Sequence, residues 1–141
     1  MVKTKPITIE EELAEIREKG LLRAEDVVAY AQDEDTLLHE RFEWDDTVAA
    51  HQHRLWQARQ LIVEVTIVPR PETGPTQAYV SLTTDRNNGE GGGYRTIVDV
   101  MSDEELRTTL LNDAKTEAGK WRKKYSGLKE LFSVFYAIDK L

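Results

Sequence analysis

The sequence predicts an α+β fold: N-terminal helices, a three-stranded antiparallel meander, then a long C-terminal helix. Three observations carry this. Large apolar residues at Trp121, Tyr125, Leu128, Phe132 and Phe135 alternate in steps of four and three, the seam of a helix packed along its length on another helix. Between residues 61 and 100, three runs rich in β-branched residues are separated by Pro- and Gly-rich breakers. Ahead of that region, helix-start signals recur. At 141 residues the chain is read as a single domain, 1–141, with 1–20 as an appended N-terminal helix.

Thr8-Ile9-Glu10-Glu11 reads as a capping box, with helix to Lys19 and Gly20 as its stop. A second helix is predicted over 24–32, with Glu25 and Asp26 in the first turn, where the helix dipole favours acids. Residues 36–42 read as one helical turn carrying Leu37, Leu38 and Phe42. Trp44-Asp45-Asp46 then opens a helix over 46–62, with Val48, Leu55 and Ile62 on one face and Ala58 and Leu61 beside them. Strands are predicted over 61–68, 78–84 and 94–100, joined by the 69–75 turn and the 86–93 loop. Ser102 with Glu105 opens the last helix, from Asp103 towards Lys140. At Ser126-Gly127 a continuous and a broken helix are both open, because Gly costs about 1 kcal/mol in a helix interior.

The chain has no cysteine, which excludes disulfides, cysteine zinc sites and a cysteine nucleophile. The composition suits a cytoplasmic protein, no run reaches the length of a membrane span, and no signal peptide is expected. Net charge is −7 and uneven. Residues 1–60 hold 8 basic and 14 acidic side chains, and residues 103–141 hold 8 and 7. An acidic protein binds nucleic acid only through a local basic surface.

Three stretches offer such a surface. Helix 46–62 carries no acid from Thr47 to Val63 and presents His51, Arg54, Gln57 and Arg59, side chains suited to base edges and phosphates. Two shorter helices before it and strands after it give a helix-turn-helix-like order, although the gap from Gln32 to Asp46 exceeds the usual turn. The same residues also describe a solvated helix face. The glycine-rich loop is flanked by Arg86 and Arg95, which suits a phosphate backbone, whereas Glu90 at its tip opposes one. Its spacing does not match G-x-G-x-x-G. Lys120, Arg122, Lys123 and Lys124 interleave with Trp121 and Tyr125, a pattern that serves single strands by stacking and charge, or equally the outside of a packed helix.

No catalytic residue, cofactor or metal site is predicted. The G-x-S-x-G and H-E-x-x-H signatures are absent, and His51 and His53 point to different sides of a helix. The chain is therefore read as non-enzymatic.

Leu38-His39, Phe42-Glu43-Trp44-Asp45-Asp46, Arg54, Ala58-Arg59, Gly91-Gly92-Gly93-Tyr94-Arg95, Lys124-Tyr125 and Leu128-Lys129-Glu130-Leu131 together resemble a family of small bacteriophage- and prophage-encoded proteins. The resemblance implies a viral origin and a host-cytoplasm setting, and no activity. Two functional expectations follow. The first is a nucleic-acid-binding protein using the residues above. The second is a protein-interaction or assembly module, homo-oligomeric through its long C-terminal helix or bound to a host or phage protein.

Overall fold

Thr8 opens the first helix, α1 (Ile9–Ile16). Its hydroxyl accepts from the Glu11 N–H at 3.1 Å, and the Glu11 carboxylate accepts from the Ile7 N–H at 3.1 Å. The structure, a computed structural model, describes residues 5–44, 47–87 and 92–141. α1 stops at Ile16 rather than Lys19, because Arg17 turns extended and Glu18 and Leu21 then exchange backbone hydrogen bonds at 2.9 Å each. Lys19 and Gly20, both at positive φ, make that tight turn.

Helix α2 (Ala24–Ala31) lays Val27, Val28 and Ala31 into the core beside Leu13 of α1. A short 3₁₀ turn, Leu38–Arg41, follows. Its entry is capped from α1: the buried Glu12 carboxylate accepts from the N–H groups of Leu37 and Leu38 at 2.9 and 2.8 Å. Two otherwise unpaired N–H groups thereby receive charge-assisted hydrogen bonds.

Helix α3 (Val48–Glu64) packs on α2 through Leu55, Ala58, Leu61 and Ile62. Its cap is Thr47, whose hydroxyl accepts from the Ala50 N–H at 3.1 Å. Asp45 and Asp46, read above as the helix entrance, lie outside the described residues. Val48, expected on the inner face, is exposed in the first turn.

Among the described residues, the three-stranded meander is replaced by two separate antiparallel pairs. β1 (Thr66–Ile67) pairs with β2 (Thr76–Gln77), and β3 (Tyr79–Val80) pairs with β4 (Arg95–Thr96). Each predicted strand is shortened by a helix that claims its residues. α3 runs on to Glu64 because Leu61 and Ile62 are buried on its inner face. A single turn, α4 (Thr83–Arg86), takes the end of the second strand. The Asp113 carboxylate holds its first residue, accepting from the Thr83 N–H and hydroxyl at 3.0 and 2.7 Å. The Thr96 hydroxyl accepts from the Asp99 N–H at 3.1 Å and so opens α5 (Ile97–Ser102) where the third strand was expected.

Helix α6 (Glu104–Tyr125) is capped by Asp103, one residue beyond the expected Ser102. It ends at Ser126, and α7 (Phe132–Asp139) folds back against it. The five-residue seam is therefore split across a bend. Trp121 meets Phe135 edge-on at 5.8 Å, and Phe135 is buried, while Leu128 and Phe132 stay exposed. Among the described residues, no helix is long and apolar enough to cross a membrane.

Candidate functional site

α3 divides by helical angle into an inner face, buried on α2, and an outer face. Residues three and four apart share a face, so His53, Trp56, Arg59, Gln60 and Val63 run down the outer side. Trp56 is 53% exposed, a large indole in water, and the His53 ring stacks on it with centroids 5.7 Å apart. Arg59 sits one turn further along.

At that turn α3 meets two other segments. Arg59, Arg86 and Tyr94 line one cavity of about 350 Å³, with Ser81, Ala24 and the backbone of Gly92 and Gly93 completing its wall. The Arg86 guanidinium donates to the Ser81 carbonyl at 2.7 Å, which holds it over the start of α4. Tyr94 is fixed by reciprocal backbone hydrogen bonds with Leu22 at 2.6 and 2.7 Å. Burial pushes its phenol pKa up, and the positive charges of Arg59 and Arg86 pull against that shift. The hydroxyl therefore stays protonated at neutral pH, a donor between two cations. Gly93 is required where it stands. Its φ is +148°, and a Cβ there would lie 3.1 Å from Leu21 Cδ2.

The sequence-predicted residues divide clearly. Arg59 and Arg86 are brought together. His51 is exposed in the first turns of α3, and Lys120, Lys123 and Lys124 are exposed on α6, with the Lys124 ammonium 5.1 Å over the Tyr125 ring. Gln57 is half-buried, its Oε1 enclosed without a hydrogen-bond partner among the described residues.

Three arginines of the predicted set are tied to partners within the chain. Arg54 is buried, donates to the Glu43 carbonyl at 2.8 Å and lies 5.2 Å over the Trp44 ring. Arg95 is gripped by Asp85 through two hydrogen bonds, which chiefly hold its pKa above the ordinary value. Arg122 donates to Asp139 at 2.9 Å and covers Phe135. Glu90 and the rest of 88–91 lie outside the described residues.

The segment from His39 to Trp44 also turns inward. His39 Nδ1 donates to the Ala31 carbonyl at 2.7 Å, because a carbonyl can only accept, and its ring stacks on Trp44 at 4.9 Å. The Trp44 indole donates to the His39 carbonyl at 2.8 Å. These side chains hold the core's edge together, and no group of three His, Asp or Glu among the described residues is placed to hold a metal ion.

Sequence reasoning passed over Trp56 and Tyr94 as site residues. The signal for Trp56 was available, since its helical angle lies opposite Ala58 and Ile62. Comparison with known proteins adds no relative: no family model matches the chain, and neither a curated protein nor a solved structure gives a significant match.

Proposed function

We propose that the protein binds single-stranded nucleic acid, with the outer face of α3 as its platform and the Arg59–Arg86 cavity as its phosphate contact. The observation that carries this reading is the convergence of two arginines, distant in sequence, beside a tyrosine hydroxyl, with no carboxylate among the described residues of the cavity wall. One turn away stands the exposed Trp56, backed by His53. An exposed aromatic face stacks on any base, and a neighbouring cationic groove follows the backbone. The chain's net charge of −7 makes such a local site the necessary form of any nucleic-acid contact. The lysines of α6 lie outside this cavity and add general attraction.

The test is fluorescence anisotropy with labelled single-stranded DNA, RNA and duplex DNA. Preferential binding of single strands, weakened roughly tenfold or more in Trp56→Ala by loss of one stacking contact, is expected. Tighter binding to duplex, with Trp56→Ala unaffected, contradicts it. A phage or prophage origin and action in the host cytoplasm belong to the same proposal and rest on the motif resemblance.

A second reading, self-association, is favoured by the hairpin of α6 and α7. No residue of α6 is fully buried, and near the bend Leu128, Phe132 and Tyr136 are exposed, the last two four residues apart on one face of α7. Exposed apolar clusters of this kind mark contact surfaces. Sedimentation velocity distinguishes it: a concentration-dependent dimer that Phe132→Ser dissolves supports assembly, and a monomer at all concentrations rejects it.

A further inference from the structure

We propose that the cavity between α3, α4 and Tyr94 is a subsite for a phosphate monoester dianion, the terminal phosphate of a strand. The inference rests on the nucleic-acid reading only for the source of that phosphate.

Charge matching selects the monoester. Two guanidiniums face one cavity whose described wall holds no carboxylate. Asp85, next to Arg86 in sequence, is committed to Arg95 by both of its oxygens. A phosphodiester within a strand brings one negative charge. A phosphate monoester carries about −1.5 to −2 at neutral pH and offers three acceptor oxygens. Only the monoester balances both arginines.

Donor geometry agrees. Arg59 has no hydrogen bond or ion pair with any described residue, so its five N–H groups are open to a ligand. Arg86 gives one contact to the Ser81 carbonyl, which fixes the plane of the guanidinium while its other donors remain. Tyr94 adds a neutral O–H, likewise without a partner among the described residues. Gly92 and Gly93 line the same cavity and add no charged side chain to it.

The experiment uses the full chain and internally labelled single-stranded 12-mers bearing a 5′-phosphate, a 3′-phosphate or only hydroxyl ends, read by anisotropy at one fixed salt concentration. Phenyl phosphate, titrated by calorimetry, supplies the monoester without a strand. Arg59→Gln and Tyr94→Phe are the variants, and their melting temperatures are compared with that of the parent chain.

The expected result is that one terminally phosphorylated strand binds about tenfold tighter than the hydroxyl strand, the size of one charge-assisted hydrogen bond. Arg59→Gln should erase that difference at unchanged melting temperature, and Tyr94→Phe should reduce it. Phosphorylated and hydroxyl strands binding equally would overturn the subsite while leaving strand binding intact. Phenyl phosphate binding that is lost in Arg59→Gln, with no strand bound, would uphold the subsite and reject the nucleic-acid source. Binding of neither overturns both.

Discussion

Asp85 and Arg95 close a two-pronged ion pair, Nε donating to Oδ2 at 2.7 Å and Nη2 to Oδ1 at 2.8 Å. It joins α4, which carries Arg86, to β4, which directly follows Tyr94, and the Asp85 side chain is only 8% exposed. Asp85→Asn keeps the shape and removes the charge, leaving a partly buried guanidinium without its counter-ion. A loss of about 2 kcal/mol is expected, read as a lower urea midpoint at constant slope. An unchanged midpoint would show that the pair is solvated and contributes little.

Arg54 and Arg59 are five residues apart on α3, about 140° around the helix, and opposite in role. Arg54→Ala removes a hydrogen bond to Glu43 and the cation over Trp44, and should cost about 2 kcal/mol of stability. Arg59→Ala removes an exposed side chain and should change stability by less than about 0.5 kcal/mol while weakening strand binding. Thermal melts beside anisotropy separate the two. Equal destabilisation by both would refute this division.

The glycines give opposed expectations. Gly93→Ala places a Cβ 3.1 Å from Leu21 Cδ2 at a φ of +148°, and should destabilise by about 1–3 kcal/mol. Gly127 has open space around a would-be Cβ and an ordinary φ. Gly127→Ala should therefore be neutral or stabilise by up to about 1 kcal/mol, through the unfolded chain. Denaturant titration of both variants checks the pair of signs.

Tyr30 offers a pH signature. Its phenol is pushed up to about 12 from an ordinary 10.0, first by burial and then by its hydrogen bond to Glu15. A folded-state pKa above the unfolded one adds stability that is complete below pH 10 and is lost as pH rises towards 12. Absorbance titration of the phenolates should show a late-titrating phenol that is missing from Tyr30→Phe. Titration of all five tyrosines together near 10 would contradict it.

The helices were legible in the sequence wherever a local signal decided them. Thr8 and Glu11 announced α1, and the spacing of Leu55, Ala58 and Ile62 announced the buried side of α3. The strands were not legible, because β-branched content cannot distinguish a strand from a helix that a neighbour caps. Thr96 with Asp99 was a readable cap inside the run 94–100, whereas the Asp113 grip on Thr83 comes from 30 residues away. Glu12 makes the same point. Nothing local distinguishes it from Glu10 or Glu11, yet it alone is buried, on the N–H groups of Leu37 and Leu38.

The site was half legible. Arg59 stood out on an acid-free helix and Arg86 as a flank of the glycine-rich loop, but only the fold sets them on one cavity. Arg54, Arg95 and Arg122 looked equally available. Their partners Glu43, Asp85 and Asp139 lie 10 to 17 residues away, beyond what helical spacing reveals.

The most direct test of the account is the salt dependence of single-stranded DNA binding by the parent chain and by Arg59→Gln. Each phosphate contact contributes about 0.7 to the slope of log affinity against log salt for a single strand. The account predicts salt-sensitive binding by the parent chain, with a slope shallower by about 0.7 in the variant. No binding at low salt, or identical slopes for the two proteins, would contradict it.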